Sequence, residues 1–411
     1  MIMTKRTYFI YVLILGSLTA LAPFSIDMYL PGFGEIARSL GTSVARVALS
    51  LSSFFIGISL GQLLYGPLLD RYGRKKPLYA GLVLYLVATF VCMQAKDMDT
   101  LIILRFIQAV GSCAATVAAM AMVRDLFGAK ESARVFSLLL LVLGASPMIA
   151  PTAGGYIVTT WGWRVIFLVL LILGALIFLM TLFFLPDSYP ADKNFSLKPL
   201  PIVRNFLSVL REPQFVVYML VYALAFAGLF AYVSGSPLVF MDVFHVDKKT
   251  YGWIFAGLSV AFIGLSQFNG LLLRRYSSQQ IIRVALSGQV VVSLVFLIGS
   301  IAGWYGLGYT IVMLFVFLAC VGFTNPNAAA LSLAPFSKNA GSASALLGAT
   351  QMGVGALASV GVSVWSNGTA TPMVAIIAVT SVLAMGVLVV GRMSGKVNEV
   401  SEGASTGTMM H

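Results

Sequence analysis

Twelve apolar stretches, each long enough to cross a bilayer, leave this chain little choice of surroundings. A helix rises about 1.5 Å per residue, so roughly 20 apolar residues span the hydrocarbon layer. Such stretches fall at 8–29, 45–69, 77–95, 100–123, 133–158, 164–185, 214–236, 251–273, 280–302, 307–331, 341–365 and 372–391. Glycine and proline interrupt many of them. A soluble helix would break there, but neighbouring membrane helices re-satisfy the freed backbone groups. Only 10% of the residues are charged, against about 25% in soluble domains. The expected fold is an all-α membrane protein of twelve transmembrane helices. Ala20-Leu21-Ala22 mimics a leader-peptidase site. The apolar run is longer than a leader's, and Pro23 would follow the cut directly, so it reads as a first span.

Charge sets the expected orientation. The net charge is +12, yet no basic block or basic–aromatic motif marks a nucleic-acid binder. Nineteen lysines and arginines fall in one set of loops, six in the alternating set, and Arg105 lies inside a span. The positive-inside rule then puts both termini in the cytoplasm. Cys92, Cys113 and Cys320 sit in apolar runs without pairing or ligand spacing, and His245 and His411 are the only histidines. Neither a metal nor a haem site is expected, and no nucleotide loop of the Gly-x-x-x-x-Gly-Lys-Ser/Thr type occurs.

The chain divides into residues 1–189 and 214–393, each with six spans, joined by a linker at 190–213 and followed by a tail at 394–411 expected to be flexible. In the linker, Ile202, Val203, Phe206, Leu207 and Leu210 fall on one helical face, with Arg204, Ser208 and Arg211 on another. That pattern suits a short helix on the cytoplasmic leaflet; an ordinary solvated linker is the alternative. Phe55-Ile56-Gly57 recurs at Phe262-Ile263-Gly264, and Leu68-Leu69-x-Arg71-Tyr72 recurs at Leu272-Leu273-x-Arg275-Tyr276. Two matches at nearly one offset argue for duplicated halves, a design of transporters with a site between them.

Two segments stand out for switching. In "GPLLDRYGRKKP" (66–77), Asp70 sits beside Arg71, Arg74, Lys75 and Lys76, Gly66 allows another helix close, and Gly73 supplies a positive φ for a tight turn. This knot reads as a conformational latch or, more simply, as a positive-inside stop. In "GASPMIAPTAGGY" (144–156), Pro147 and Pro151 bend a helix and Gly154-Gly155 offers a face for close packing.

These residues resemble the major facilitator superfamily. Gly66, Asp70, Arg71, Gly73 and Arg74 match its signature loop, which helps hold the cytoplasmic side closed; Arg274 stands where the second half would repeat the acid. Pro151, Gly154 and Gly155 match the antiporter motif of its drug exporters, with Ala150 and Ser146 departing from it. The resemblance implies two six-helix bundles that rock about a central site.

Asp27, in "PFSIDMYLP", is an acid inside an apolar run. Arg105 lies at a similar depth and heads a polar stripe with Gln108, Ser112 and Thr116. Intramembrane charges usually face a partner or a wet cavity, so the two are expected to pair and to carry proton coupling. Two blander readings stand beside this: Asp27 as an interfacial acid in contact with water, and Arg105 as a structural arginine on backbone carbonyls. "LRFIQAVGS" resembles the family's fourth-helix Arg-x-x-Gln-Gly motif, in which the arginine is assigned to proton coupling. "SIDMYLP", "LGQLLYGPLLDRYGRKKP" and "WGWRVIF" resemble the Bcr/CflA (bicyclomycin-resistance) drug–proton antiporters of bacterial inner membranes.

The expected substrate cavity comprises Asp27, Gln108, Ser112, Tyr222, Phe226, Phe230, Gln267, Asn325, Asn327 and Gln351. Aromatic packing and interhelical amide bonds are the competing reading for those in the second half. The expected function is export of small amphipathic molecules in exchange for protons, by a monomer in the lipid bilayer, without a cofactor. Export of an endogenous metabolite, amino acid or siderophore is the alternative. With neither a catalytic cluster nor an appended domain, an enzyme is not expected.

Overall fold

The computed structural model describes residues 5–189, 191, 199–304, 306–336 and 340–395. Lys193, Lys198, Lys338, Lys396 and most of the expected tail lie outside them. The described residues form helices and turns, with no strand among them.

Twelve helical segments are long and apolar enough to span a membrane, and they are numbered spans one to twelve. They run Lys5–Ser39, Val44–Tyr72, Lys75–Met93, Met98–Leu126, Arg134–Trp161, Arg164–Phe184, Pro213–Val243, Lys248–Leu272, Ser278–Ile301, Leu307–Leu333, Gly341–Val364 and Thr371–Met393. All twelve expected stretches are present, with most ends moved by a few residues; span one runs ten residues and span seven seven residues past the expected end. The polar ends follow local chemistry. Ser43 accepts from the Arg46 backbone N–H to open span two. Asp97 accepts from Thr100 to open span four. Asp247 does the same for span eight through Lys249 and Thr250. Each satisfies N–H groups that a helix start leaves orphaned.

Two spans are less regular than their apolar pattern suggests. Span one is α-helical over Lys5–Asp27, passes through a 3₁₀ turn at Leu30–Gly32, and resumes over Phe33–Ser39. Pro31 lies in the turn, where it cannot donate a helix hydrogen bond. Span eight is α-helical over Lys248–Ser259, widens to a π-helix over Val260–Gly264, and breaks before a short helix at Asn269–Leu272. The recurrence of Phe-Ile-Gly therefore does not carry the local geometry of span two into span eight.

With an even number of spans, the N-terminal Lys5 and the end of span twelve share one end of the molecule, the terminal end; the other is the far end. Burial distinguishes the two. At the far end one apolar cluster runs through both halves, from Phe55 and Trp163 to Phe230, Tyr251 and Val362. Toward the terminal end the clusters separate: Leu69, Leu78 and Met122 belong to one within the first half, Ile282, Ala328 and Leu388 to another within the second. The halves thus close on each other at the far end and part at the terminal end.

Candidate transport site and the seams between the halves

Two seams join the halves. Spans two and eleven meet through hydroxyls: Ser52 Oγ lies 2.6 Å from Ser359 Oγ, and Ser59 Oγ donates to the Ala349 carbonyl at 2.7 Å. Spans five and eight meet through glycine. A Cβ at Gly155 would overlap the Lys248 carbonyl, and one at Gly252 would overlap the Thr152 backbone. The neighbouring Gly154 faces the other way, against the Met28 carbonyl of span one. Consecutive glycines thus let span five touch backbone on two sides, as small residues allow in membranes. The helix runs on through Pro147 and Pro151. Ala150 is fully buried, and the Ser146 hydroxyl is buried without a partner.

Asp27 ends the long helix of span one and is 6% exposed. The solvated-end reading therefore does not describe this structure. Two tyrosines of the second half, Tyr232 and Tyr251, lie within electrostatic range of its carboxyl group. Tyr251 shares a hydrogen bond with Ser236 at 2.8 Å, whereas the buried Tyr232 hydroxyl has no partner.

The expected Asp27–Arg105 pair is not formed. Arg105 is fully buried inside the first half, where Nη2 donates to the Ser25 carbonyl at 2.9 Å and Nη1 to Gln108 Oε1 at 2.6 Å. Gln108 in turn donates to Thr89, and Ser25 bonds Tyr85. The guanidinium lies 4.3 Å from the Phe54 ring centre and 4.6 Å from that of Tyr29. Helix geometry explains the separation. Residues two apart point about 200° apart, so with Ser25 turned into the bundle, Asp27 turns out of it. Arg105 holds a carbonyl and stacks on rings, as the structural reading has it, and its Nε remains unpartnered.

The loop after span two forms a tight ionic knot. Arg74 Nη1 donates to Asp70 at 2.7 Å and Nε to Asp125 at 2.8 Å, while its guanidinium sits 4.4 Å from the Tyr189 ring centre. Burial works against the Arg74 charge. The hydrogen bonds to Asp125 and Asp70 outweigh it and hold the group above its ordinary pKa. Gly73 has φ +79°, the conformation expected of it. Gly66 differs from expectation: nothing lies within 4 Å of the place its Cβ would take. The terminal end is parted at this point, so no helix reaches it. Arg71 also has an interaction of its own. A span-end acid such as Asp125 carries no partner signal in sequence; only the fold brings it to Arg74.

The expected cavity residues scatter. Gln108 and Ser112 are fully buried in the first half; Ser112 bonds its own helix at Ala109. Gln267 is exposed and reaches only the Ile263 carbonyl. Asn327 donates to Asn269 at 2.7 Å, so this amide serves helix packing. Asn325 is 7% exposed with an unpartnered Oδ1. Tyr222, Phe226 and Phe230 do form a column on span seven, with Phe55 of span two 4.4 Å from Phe230, and Gln351 is buried. None of the ten lines a cavity of about 730 Å³ at the terminal end, which Gly66, Asp70 and Arg74 do line. The linker helix, Pro199–Leu210, forms one wall of it. Ile202 and Phe206 face the cavity and Val209 is buried, while Val203 and Leu207 are exposed. The helix is therefore not laid wholly on the leaflet, as its pattern suggested, because its apolar positions divide between two surfaces.

Two six-span halves, sealed at one end and parted at the other, invite comparison with known transporters. Residues 15–359 match the Major Facilitator Superfamily. The chain belongs to that superfamily. It is 31% identical over 371 residues, 90% of this chain and 92% of the other, to a bicyclomycin resistance protein homolog of Haemophilus influenzae. It is 29% identical over 351 residues, 85% and 87% of the two chains, to the multidrug resistance protein MdtL of a Shewanella species. Among solved structures it resembles a bacterial homolog of the human lysosomal transporter Spinster, with a TM-score of 0.76 at 13% identity, over 97% of this chain and 100% of the other. This superfamily member is a multi-pass membrane transporter, not an enzyme, and its relatives include proteins named for drug resistance as well as an uncharacterized transporter of Bacillus subtilis, 33% identical over 377 residues, 90% of this chain and 92% of the other.

Proposed function

We propose that the chain is a proton-coupled exporter of small amphipathic molecules, a monomer in a bacterial inner membrane that works by alternating access. One observation carries the reading: Asp27, a carboxylic acid, is buried on the side of span one turned away from Arg105, with Tyr232 and Tyr251 of the opposite half within electrostatic range. An ion costs free energy in a site shut from water, and a proton on the carboxylate removes that cost. Shutting and wetting this site in turn therefore couples proton binding to movement of the halves. Proton and substrate need only bias the same two states differently.

The bias of lysine and arginine assigns the terminal end to the cytoplasm, so the parted end faces inward, ready for a cytoplasmic substrate. The names of the drug-resistance relatives support export, and a neutral or amphipathic substrate suits the aromatic column of Tyr222, Phe226 and Phe230. The test is uphill transport in everted vesicles with an imposed pH gradient. Asp27→Asn is expected to abolish uphill movement while substrate still binds. Normal pumping by that variant would overturn the coupling role of Asp27. A panel of drugs and metabolites in the same vesicles fixes the substrate class.

A further inference from the structure

The cavity at the terminal end is separate from Asp27 and from the aromatic column, and its walls are specific. Its volume of about 730 Å³ falls in the usual range for pockets that hold drug-sized molecules. Span four contributes Val117 and Met120, and the linker helix contributes Ile202 and Phe206. Gln62 and Ser344 add hydrogen-bonding groups from spans two and eleven.

The linker helix is held in place rather than draped. Asn205 Nδ2 donates to Ser342 Oγ at 2.7 Å, and Val209 is buried beside Phe215, Ala343 and Leu347. Both anchors belong to the second half, whereas the surface opposite belongs to spans two and four. The helix thus brings Phe206 across the divide as a fixed wall that travels with the second half.

Charge decides what suits this cavity. Asp70 and Asp125 line it, but both already accept from Arg74. Arg124 also lines it and is exposed. Its guanidinium lies 6.0 Å from the Phe136 ring centre, and it forms no ion pair among the described residues. The lining therefore carries two carboxylates and two guanidiniums over an apolar floor; both carboxylates are engaged by Arg74, and Arg124 is the cation without an ion pair among the described residues.

We propose that this cavity is an entry site for amphipathic organic anions, whose apolar body rests on Phe206 and whose acidic group meets Arg124. The proposal rests on the transport reading for its purpose, and the site itself is tested apart from transport. The full chain in nanodiscs is titrated with 1-anilinonaphthalene-8-sulfonate and with uncharged N-phenyl-1-naphthylamine, which share one apolar body. Binding is read as fluorescence above that of empty nanodiscs.

The sulfonate is expected to bind about tenfold more tightly than the neutral dye, a preference of about 1.4 kcal/mol. Arg124→Gln brings the two to parity, and Arg124→Lys keeps the preference. Phe206→Ala weakens both dyes by roughly fivefold, the scale of losing a buried aromatic contact. Leu207→Ala, on the exposed side of the same helix, changes neither. The proposal is overturned if the parent shows no saturable binding, if Arg124→Gln keeps the preference, or if Phe206→Ala binds like the parent. A chain that pumps in vesicles without these shifts keeps the transport reading and loses this site. One that shows the shifts and pumps nothing keeps the site and loses the reading.

Discussion

Lys248 Nζ donates to Glu35 Oε2 at 2.8 Å, tying the start of span eight to the end of span one at the far end of the molecule. Glu35 Oε1 also accepts from the Trp163 backbone N–H at 3.1 Å. One carboxylate therefore joins the turn between spans five and six to the opposite half. The pair is partly shielded, with side chains 24% and 27% exposed. Lys248→Met is expected to remove about 1 kcal/mol from the state closed at the far end, a shift of roughly fivefold in population. Spin-label distances between the far ends of spans two and eleven measure it. An unchanged distance distribution would show that the pair does not hold this end shut.

The glycines of span five allow no added atom. Gly154→Ala would set a methyl group on the Met28 carbonyl, and Gly155→Ala one on the Lys248 carbonyl. Overpacking of this kind costs about 1–3 kcal/mol. The two substitutions should differ in kind. Gly154 faces span one of its own half and should lower thermal stability. Gly155 faces the other half and should slow transport more than it lowers the melting point. Melting curves and initial transport rates, taken together, check the contrast; equal effects on both measures would count against it.

Arg105 carries a structural load that sequence alone does not separate from a proton role. Removing the guanidinium leaves the Ser25 carbonyl and the Gln108 amide oxygen short of a donor. Arg105→Ala is expected to cost roughly 2 kcal/mol, the range for a hydrogen bond to a charged group. Arg105→Lys, whose three donors sit on one compact nitrogen, should recover only part of that, since it lacks the planar fork that reaches Ser25 and Gln108 from separate nitrogens while stacking on Phe54 and Tyr29. Thermal unfolding in detergent measures both, and full recovery by lysine would refute the forked contact of the guanidinium with Ser25 and Gln108.

Asp247 gives a pH dependence with a definite sign. The Thr250 side chain, then the Thr250 and Lys249 backbone N–H groups, hold its carboxyl below the ordinary 3.8. A lowered native pKa adds stability that is present above the unfolded value and is lost as pH falls through the native one. The melting-point gap between the parent and Asp247→Ala should therefore be wider at pH 7 than at pH 3. A gap of the same width at both would mean that the cap works without its charge.

The apolar pattern made all twelve spans and the division into halves legible, because bilayer thickness fixes how long such a helix must be. The signature loop was legible for the same local reason: Asp70 and Arg74 are one turn apart and need only a helix end to meet. Contacts between distant segments were not. Asp125 joins Arg74 from a different span, and Glu35 meets Lys248 from a different half. Asp27 and Arg105 match in depth yet turn to opposite sides, a matter of helix rotation that depth does not encode. The linker helix was legible as amphipathic, but the split of its apolar positions between cavity and core depends on what it docks against.

The serines between spans two and eleven have a consequence for the ease of switching. Ser52, Ser359 and Ser59 bond across the seam while it is shut. Once parted, the same hydroxyls accept water in place of each other, and exchanging one hydrogen bond for another changes little net free energy. An aliphatic seam would expose bare hydrocarbon at each opening. The hydroxyl seam is wettable by composition, so its two faces are stable both dry and hydrated. A protein that must open and reseal the same surface on every cycle gains from such indifference more than from a stronger bond.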